Sequence, residues 1–482
     1  MNFPFNVRQS TWMVAVAAGL WMTSCNKDQE IAPDPQTPVT AAPSNPNQSV
    51  NNWILENMRE VYYWNDKIPA NPDTTLAPDK FFYSLLYDYN NSANTERDRF
   101  SWIQESAEEL KSSLSGEEKT TGLEFGLYLR SQGSSEVIMQ VLYVLPGSPA
   151  AKAGLKRGDI ISAINGQKLT TGNYSSLIFD NTTFAYGLAK VENNQIVDTD
   201  AVKTVTAQVF QQNPVFLDSV YVRGGKTIGY LVYNQFIPGP NGSNSATYDQ
   251  QLEQIFSEFK AKGVNELVLD LRYNPGGYVS SSVKLASMIG KGIDNTKTFY
   301  RTEYNKDLMA EFEKANQAGQ LVTRFQNKGQ NIGSNLSRVF VLTTGHTASA
   351  SELIINGLRP FMPVVTIGET TYGKNVGSIT IEDETGKIKW GMQPIVFKSF
   401  NAQNQSDYST GFKPTIAIDE PLQLKALGDV QETYLNAALA QISGTTARIA
   451  APAGPQRKEV GSSVQRRAGG SNMFEVKSKL LF

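Results

Sequence analysis

The sequence predicts a multidomain α/β protein, and three observations carry that expectation. At 482 residues with 40% hydrophobic content, the chain exceeds what one core supports and has enough apolar surface for several packed units. Apolar residues recur at helical spacing near the amino terminus, short strands follow, and from residue 226 helices and strands alternate. Lys and Arg (44) nearly balance Asp and Glu (46), leaving a net charge of -2 and no basic field for nucleic acid, so no nucleic-acid partner is expected.

Residues 1–25 read as a signal peptide, because Arg8 precedes an apolar run, Trp12 to Met22, that is too short to span a bilayer. Cys25 is the only cysteine, which rules out an internal disulfide, and Met22-Thr23-Ser24-Cys25 resembles a bacterial lipobox. The resemblance implies cleavage before Cys25 and its acylation, palmitate included. A membrane partner is then expected through the lipid anchor, in the cell envelope; an ordinary secretory signal is the alternative. Asn26, where Asp is absent, favours the outer membrane. Residues 26–50 hold five prolines and no aromatic residue, and read as a disordered tether.

Residues 51–118 are expected to form a small helical domain, since Ile54, Met58, Val61 and Tyr62, then Phe81, Phe82, Leu85 and Leu86, repeat at helical spacing. Between 119 and 212 the pattern turns to strands around "LPGSPAAKAGLKRGDIISAINGQKL", a stretch that resembles a PDZ domain. Such a groove takes a peptide as an added strand and holds its terminal carboxylate on backbone N–H groups. The resemblance places that loop at Gly122-Leu123-Glu124-Phe125-Gly126, with Leu123, Glu124, Phe125 and Gly126 binding the tail of a protein or peptide substrate with an apolar carboxyl terminus. Glu124 stands where the family has glycine.

Residues 213–443 are expected to form an α/β core. Strands are predicted at Ile228 to Tyr233, Glu266 to Leu271, Val339 to Thr343 and Val364 to Ile367, and helices at Tyr248 to Phe259, Ser281 to Ile289 and Ser349 to Leu358. Ligands gather beyond the carboxyl ends of such strands, and three ends carry "DLRYNPGG", "GHTASASE" and "GETTYGK". The single histidine, His346, lies three residues before Ser349, a poor position for a base that must approach across a cleft. Lysine is the other candidate: burial lowers an ammonium pKa from ~10.4 toward 7 or 8, and Lys374 has few charged neighbours in sequence. Ser281-Ser282-Val283-Lys284 is a second serine–lysine pairing, without the companion motifs of the penicillin-binding proteins.

Together "LVLDLRYNPGG", "TASASEL" and "GETTYGK", with the preceding PDZ-like stretch, resemble the carboxyl-terminal processing (tail-specific) proteases over residues of about 51 to 425. That resemblance implies a core of the ClpP/crotonase-like fold and a serine endopeptidase with a Ser/Lys dyad. Ser349 is the implied nucleophile and Lys374, 25 positions on, the implied base. It also implies an oxyanion hole from the N–H groups of Ala350 and Gly277, with Gly276 a rival. Many members have Gln where this chain has Ser378 and Asp where it has Pro360, so a dyad is expected rather than a triad. A catalytically inactive, lipid-anchored peptide-binding scaffold is the alternative function. No metal or other cofactor is expected from a chain with one His and one Cys. The tail 444–482, basic and broken by Gly and Pro, is expected to be disordered.

Overall fold

The computed structural model describes residues 47–445, 458–466 and 473–475. The signal peptide, Cys25 and nearly all of the tether lie outside the described residues. The first helix, Gln48–Val61, begins just inside the expected tether, because Val50 already packs on the main core.

The core is a six-stranded sheet in the order Val215–Arg223, Lys226–Tyr233, Glu266–Asp270, Val339–Thr343, Val364–Gly368, Ile416–Ala417. Its first pair is antiparallel and the remaining pairs are parallel. The two central strands are buried on both faces, which is why they read as unbroken apolar runs rather than alternating ones. Leu267, Leu269 and Val341 point to one side, against helices Thr247–Ala261, Val279–Ile289 and Ala350–Leu358. Val268, Phe340 and Leu342 point to the other, against helix Thr433–Ser443, which the sequence reading missed. A second six-stranded sheet runs Gly277–Tyr278, Met473–Glu475, Val376–Ile379, Ile395–Phe400, Thr298–Glu303, Val322–Arg324.

The amino-terminal helices do not have a core of their own. Ile54, Met58, Phe81 and Phe82 join the main apolar cluster with Leu252 and Ile395, and Trp102–Gln104 pairs with Gly391–Gln393. Helical spacing shows that a face is buried, not against what; the structure packs that face on the α/β core. The PDZ-like sheet orders Leu123–Leu129, Val137–Val144, Ile160–Ile164, Thr183–Glu192 and Gln195–Thr206, with helix Tyr174–Phe179 beside its groove. A two-stranded ribbon, Glu117–Thr120 with Gln208–Gln211, pairs the chain entering this unit with the chain leaving it.

The tail departs from expectation. Glu459–Ser462 and Met473–Glu475 are strands in two different sheets. Composition predicts whether a segment can build its own core, but a segment that adds a strand to an existing edge obtains its hydrogen bonds from the host.

Candidate active site

Three loops at the carboxyl ends of neighbouring strands are tied together by hydrogen bonds. Thr347 Oγ1 donates to the Leu271 carbonyl (2.8 Å), and both Ala348 N–H (3.1 Å) and Ser351 Oγ (3.0 Å) donate to that of Asn274. The Tyr372 N–H donates to the Thr347 carbonyl at 2.9 Å, bringing in the loop of Lys374. Asn274 is itself anchored, its Nδ2 donating to the Tyr233 carbonyl (2.8 Å).

Ser349 sits at the sharp turn from strand to helix, with φ 64° and ψ -114°. A non-glycine residue held there stores strain of order 1–3 kcal/mol, tolerated where surrounding structure over-determines it. Its side chain is fully buried, and its hydroxyl faces the Glu352 N–H in a capping-box arrangement without closing a full hydrogen bond to any described residue. A buried unsatisfied hydroxyl costs ~1–3 kcal/mol, an arrangement that suits a group whose partner is a reactant. The Ala350 N–H, at the first helical position, has no carbonyl partner among the described residues.

Glu352 joins the two halves of the site. Its Oε2 accepts the N–H groups of both Ser349 and Lys374, each at 2.8 Å, while Oε1 accepts Gly373 N–H (2.8 Å) and Thr371 Oγ1 (2.6 Å). Besides capping the first turn of its own helix, this carboxylate therefore holds the loop of Lys374. Burial pushes its carboxyl up to about 7, against the pull of those four donors.

Lys374 is fully buried, with its Nζ 4.7 Å from the centre of the Phe100 ring. Burial brings the amine from 10.5 down to about 7; Asp98 and Glu352 oppose that fall, and Arg99 reinforces it. Arg99 also holds the loop, its Nη2 donating to the carbonyls of Gly373 (2.9 Å) and Tyr372 and Ser409 (3.3 Å each). Asp98-Arg99-Phe100 was not singled out in the sequence, where nothing marks a loop so distant along the chain as a wall of this pocket. Ser349 and Lys374 thus meet through one carboxylate, but hydroxyl and amine are not hydrogen-bonded in this conformation.

Gly276 donates its N–H to Asn274 Oδ1 (2.9 Å) and is therefore engaged. Gly277 has φ 135°, and a Cβ there would lie 2.2 Å from the Phe236 carbonyl oxygen, so glycine is required. Ser378 Oγ points to the Met473 carbonyl (3.5 Å). His346 is driven by burial down to about 4, is neutral near pH 7, and lies 3.7 Å from Glu459, not bonded to Ser349. Lys284 is ion-paired with Asp249 at 2.7 Å, which removes it as a base for Ser281.

In the PDZ-like unit, Leu123, Glu124, Phe125 and Gly126 open the strand that borders a groove of about 880 Å³, lined by Met139, Ile164 and Ile178. Glu124 is buried there, and its Oε2 accepts the Ser463 hydroxyl at 2.8 Å.

The chain is similar in sequence and fold to known proteins. The family model "Peptidase family S41" matches residues 227–418, "Peptidase S41 N-terminal domain" matches 49–102, and a PDZ-domain model matches 140–178. A candidate S41 protease from Bacteroides fragilis, solved by crystallography, is 30% identical with a TM-score of 0.65, the match covering 81% of this chain and 97% of that one. The carboxyl-terminal-processing protease of a Picosynechococcus strain is 27% identical over 341 residues, 68% of this chain and 72% of its own. A probable CtpA-like serine protease of Staphylococcus aureus is 26% identical over 298 residues, and the chain spans 53% of its length. By sequence and by fold, the chain belongs to peptidase family S41, the serine peptidases, with the N-terminal and PDZ domains that accompany its catalytic core.

Proposed function

We propose that the protein is an endopeptidase that cleaves protein substrates near their carboxyl-terminal tails, using Ser349 as nucleophile and Lys374 as general base. One observation carries this reading: a strained, buried serine with an unengaged hydroxyl shares a carboxylate oxygen with a buried lysine lowered to about 7. Neutral Lys374 takes the proton of Ser349 as its oxygen attacks the peptide carbonyl. The N–H groups of Ala350 and Gly277 hold the oxyanion, and the protonated amine then gives its proton to the leaving nitrogen. Water, deprotonated by the same amine, releases the acyl group from Ser349. The closing of the hydroxyl–amine gap belongs to the substrate complex, in which such contacts tighten.

The groove beside Leu123–Gly126 presents the substrate as an added strand, in keeping with relatives named for carboxyl-terminal processing. We further propose acylation at Cys25 and attachment to an envelope membrane, motivated by the lipobox-like Met22-Thr23-Ser24-Cys25. Metabolic labelling with an alkynyl palmitate analogue tests it: the label should be lost in Cys25→Ser, and an unlabelled wild type would refute acylation. The catalytic reading is tested by mass spectrometry of an unstructured protein digested by wild type and by Ser349→Ala. We expect carboxyl-terminal fragments from the wild type alone; identical products from both would overturn it, and none from either would leave the peptide-binding scaffold as the better reading.

A further inference from the structure

The two docked segments of the tail occupy the two places where a substrate would bind. Glu459–Ser462 runs antiparallel to Leu123–Leu129, with Gly461 opposite Leu127 and Ser462 opposite Gly126. Val460 packs on the apolar core of the PDZ domain, and its carbonyl accepts from the hydroxyl of Tyr174, the first residue of the groove's helix, at 3.4 Å. At the closed end of the groove Ser463 Oγ accepts the Phe125 N–H (2.8 Å), a donor that the loop would otherwise offer to a bound peptide. The edge of this sheet is therefore already augmented.

The second segment lies in the catalytic domain. Met473–Glu475 is inserted between Gly277–Tyr278 and Val376–Ile379, parallel to both, with Met473 opposite Gly277 and Phe474 opposite Ser378. One flanking strand begins at the oxyanion glycine and the other begins just after Lys374, so the tail runs between the two halves of the proposed machinery. All three side chains are buried. Phe474 packs on the Tyr278 ring (centroids 4.3 Å apart) with Leu110 and Leu114, and the Tyr300 hydroxyl donates to the Glu475 carboxylate. Ser349 and Lys374 are both fully buried, so no polypeptide reaches them unless the covering atoms move.

From these contacts we infer that the two tail segments, 459–463 and 473–475, act as an intramolecular peptide ligand, one in the PDZ groove and one in the catalytic cleft, so that a substrate must displace them. The inference rests on the reading of the cleft given above. The tail reproduces the chemistry of a bound peptide: added strands at two edges, an apolar–aromatic–acidic triplet in the cleft, and a hydroxyl at the end of the groove. A tethered ligand acts at an effective concentration on the order of mM, so a free peptide of equal intrinsic affinity competes poorly.

Binding is measured first in a Ser349→Ala background, where the readout does not depend on catalysis. A fluorescein-labelled peptide spanning residues 458–475 should bind a chain ending at Thr445 at least tenfold tighter than it binds the full-length chain. Equal affinity for both chains would overturn the inference. If the shortened chain does not fold, full-length Val460→Asp combined with Phe474→Asp replaces it: the peptide should again bind tighter than to the unaltered tail, and unchanged affinity would overturn the idea. With Ser349 intact, removal of the tail should lower KM for an unfolded protein, and the added peptide should restore it. Tightened binding without hydrolysis in any form would refute the catalytic reading and leave the tail as a ligand.

Discussion

Among the described residues, two buried basic sites treat charge in opposite ways. Arg272 is enclosed by carboxylates: Asp270 at 2.8 Å, Glu432 at 2.7 Å and Glu420 at 3.0 Å. Arg157, from the PDZ domain, meets Glu420 at 2.7 Å and donates to the Tyr273 hydroxyl at 2.6 Å, fastening that domain to the core. Burial alone would push the Glu420 carboxyl up, but the two guanidinium groups hold it down at about 2. Around Lys374 the balance reverses. Two carboxylates, Asp98 and Glu352, only partly offset the burial; Glu352 spends its oxygens on three backbone N–H groups and a hydroxyl, and Phe100 lies over the amine. Similar burial therefore fixes a cation where three carboxylates converge on it, and discharges one where desolvation outweighs the carboxylates around it.

The sharpest way to break the comparison is to put the cation of one site into the other. Lys374→Arg keeps a positive charge that cannot act as a base, and should lower kcat/KM on an unfolded protein by roughly 10²–10⁴-fold, as should Lys374→Ala. Lys374→Met should be as inactive yet more stable by about 1 kcal/mol in denaturant unfolding, since it removes a buried polar group. At the other site Arg272→Ala should cost ~3–5 kcal/mol, because it strands three carboxylates, and the same unfolding experiment measures it. The depressed Glu420 pKa gives a contribution to stability that is fully present above the ordinary carboxylate range and fades as pH falls toward 2. Glu352→Gln turns one acceptor into a donor facing N–H groups, and should reduce kcat by roughly 10- to 100-fold. The smallest effect is expected from Phe100→Ala. Water admitted to the pocket should raise the Lys374 pKa, moving the rising limb of the pH–rate profile upward while leaving the rate at high pH nearly unchanged.

Much of the core was legible because burial on both faces leaves a simple pattern: the runs at Glu266 to Leu271 and Val339 to Thr343 could only be inner strands. Motifs pointed to Ser349, Lys374 and Gly277, and the fold sets their loops at the carboxyl ends of neighbouring strands. Asp98, Arg99 and Phe100 were not, since Arg99 reaches its loop through backbone carbonyls, which impose no requirement on the partners' side chains. The role of Glu352 was not legible either, because it lies three positions from Ser349 but more than twenty from Gly373 and Lys374. The tail was misread for a related reason: its order is supplied by the strands it joins.

The account depends on which group loses a proton near pH 7, and Glu352, pushed up to about 7, is a rival for Lys374, coupled to it. The direct measurement is the pH dependence of Ser349 labelling by a fluorophosphonate probe in Glu352→Gln. A single rising limb should remain, displaced to lower pH because the carboxylate that supports the ammonium is gone. A profile with no limb would assign the titration to Glu352, and a limb near 4 would assign it to His346; either would contradict Lys374 as the base.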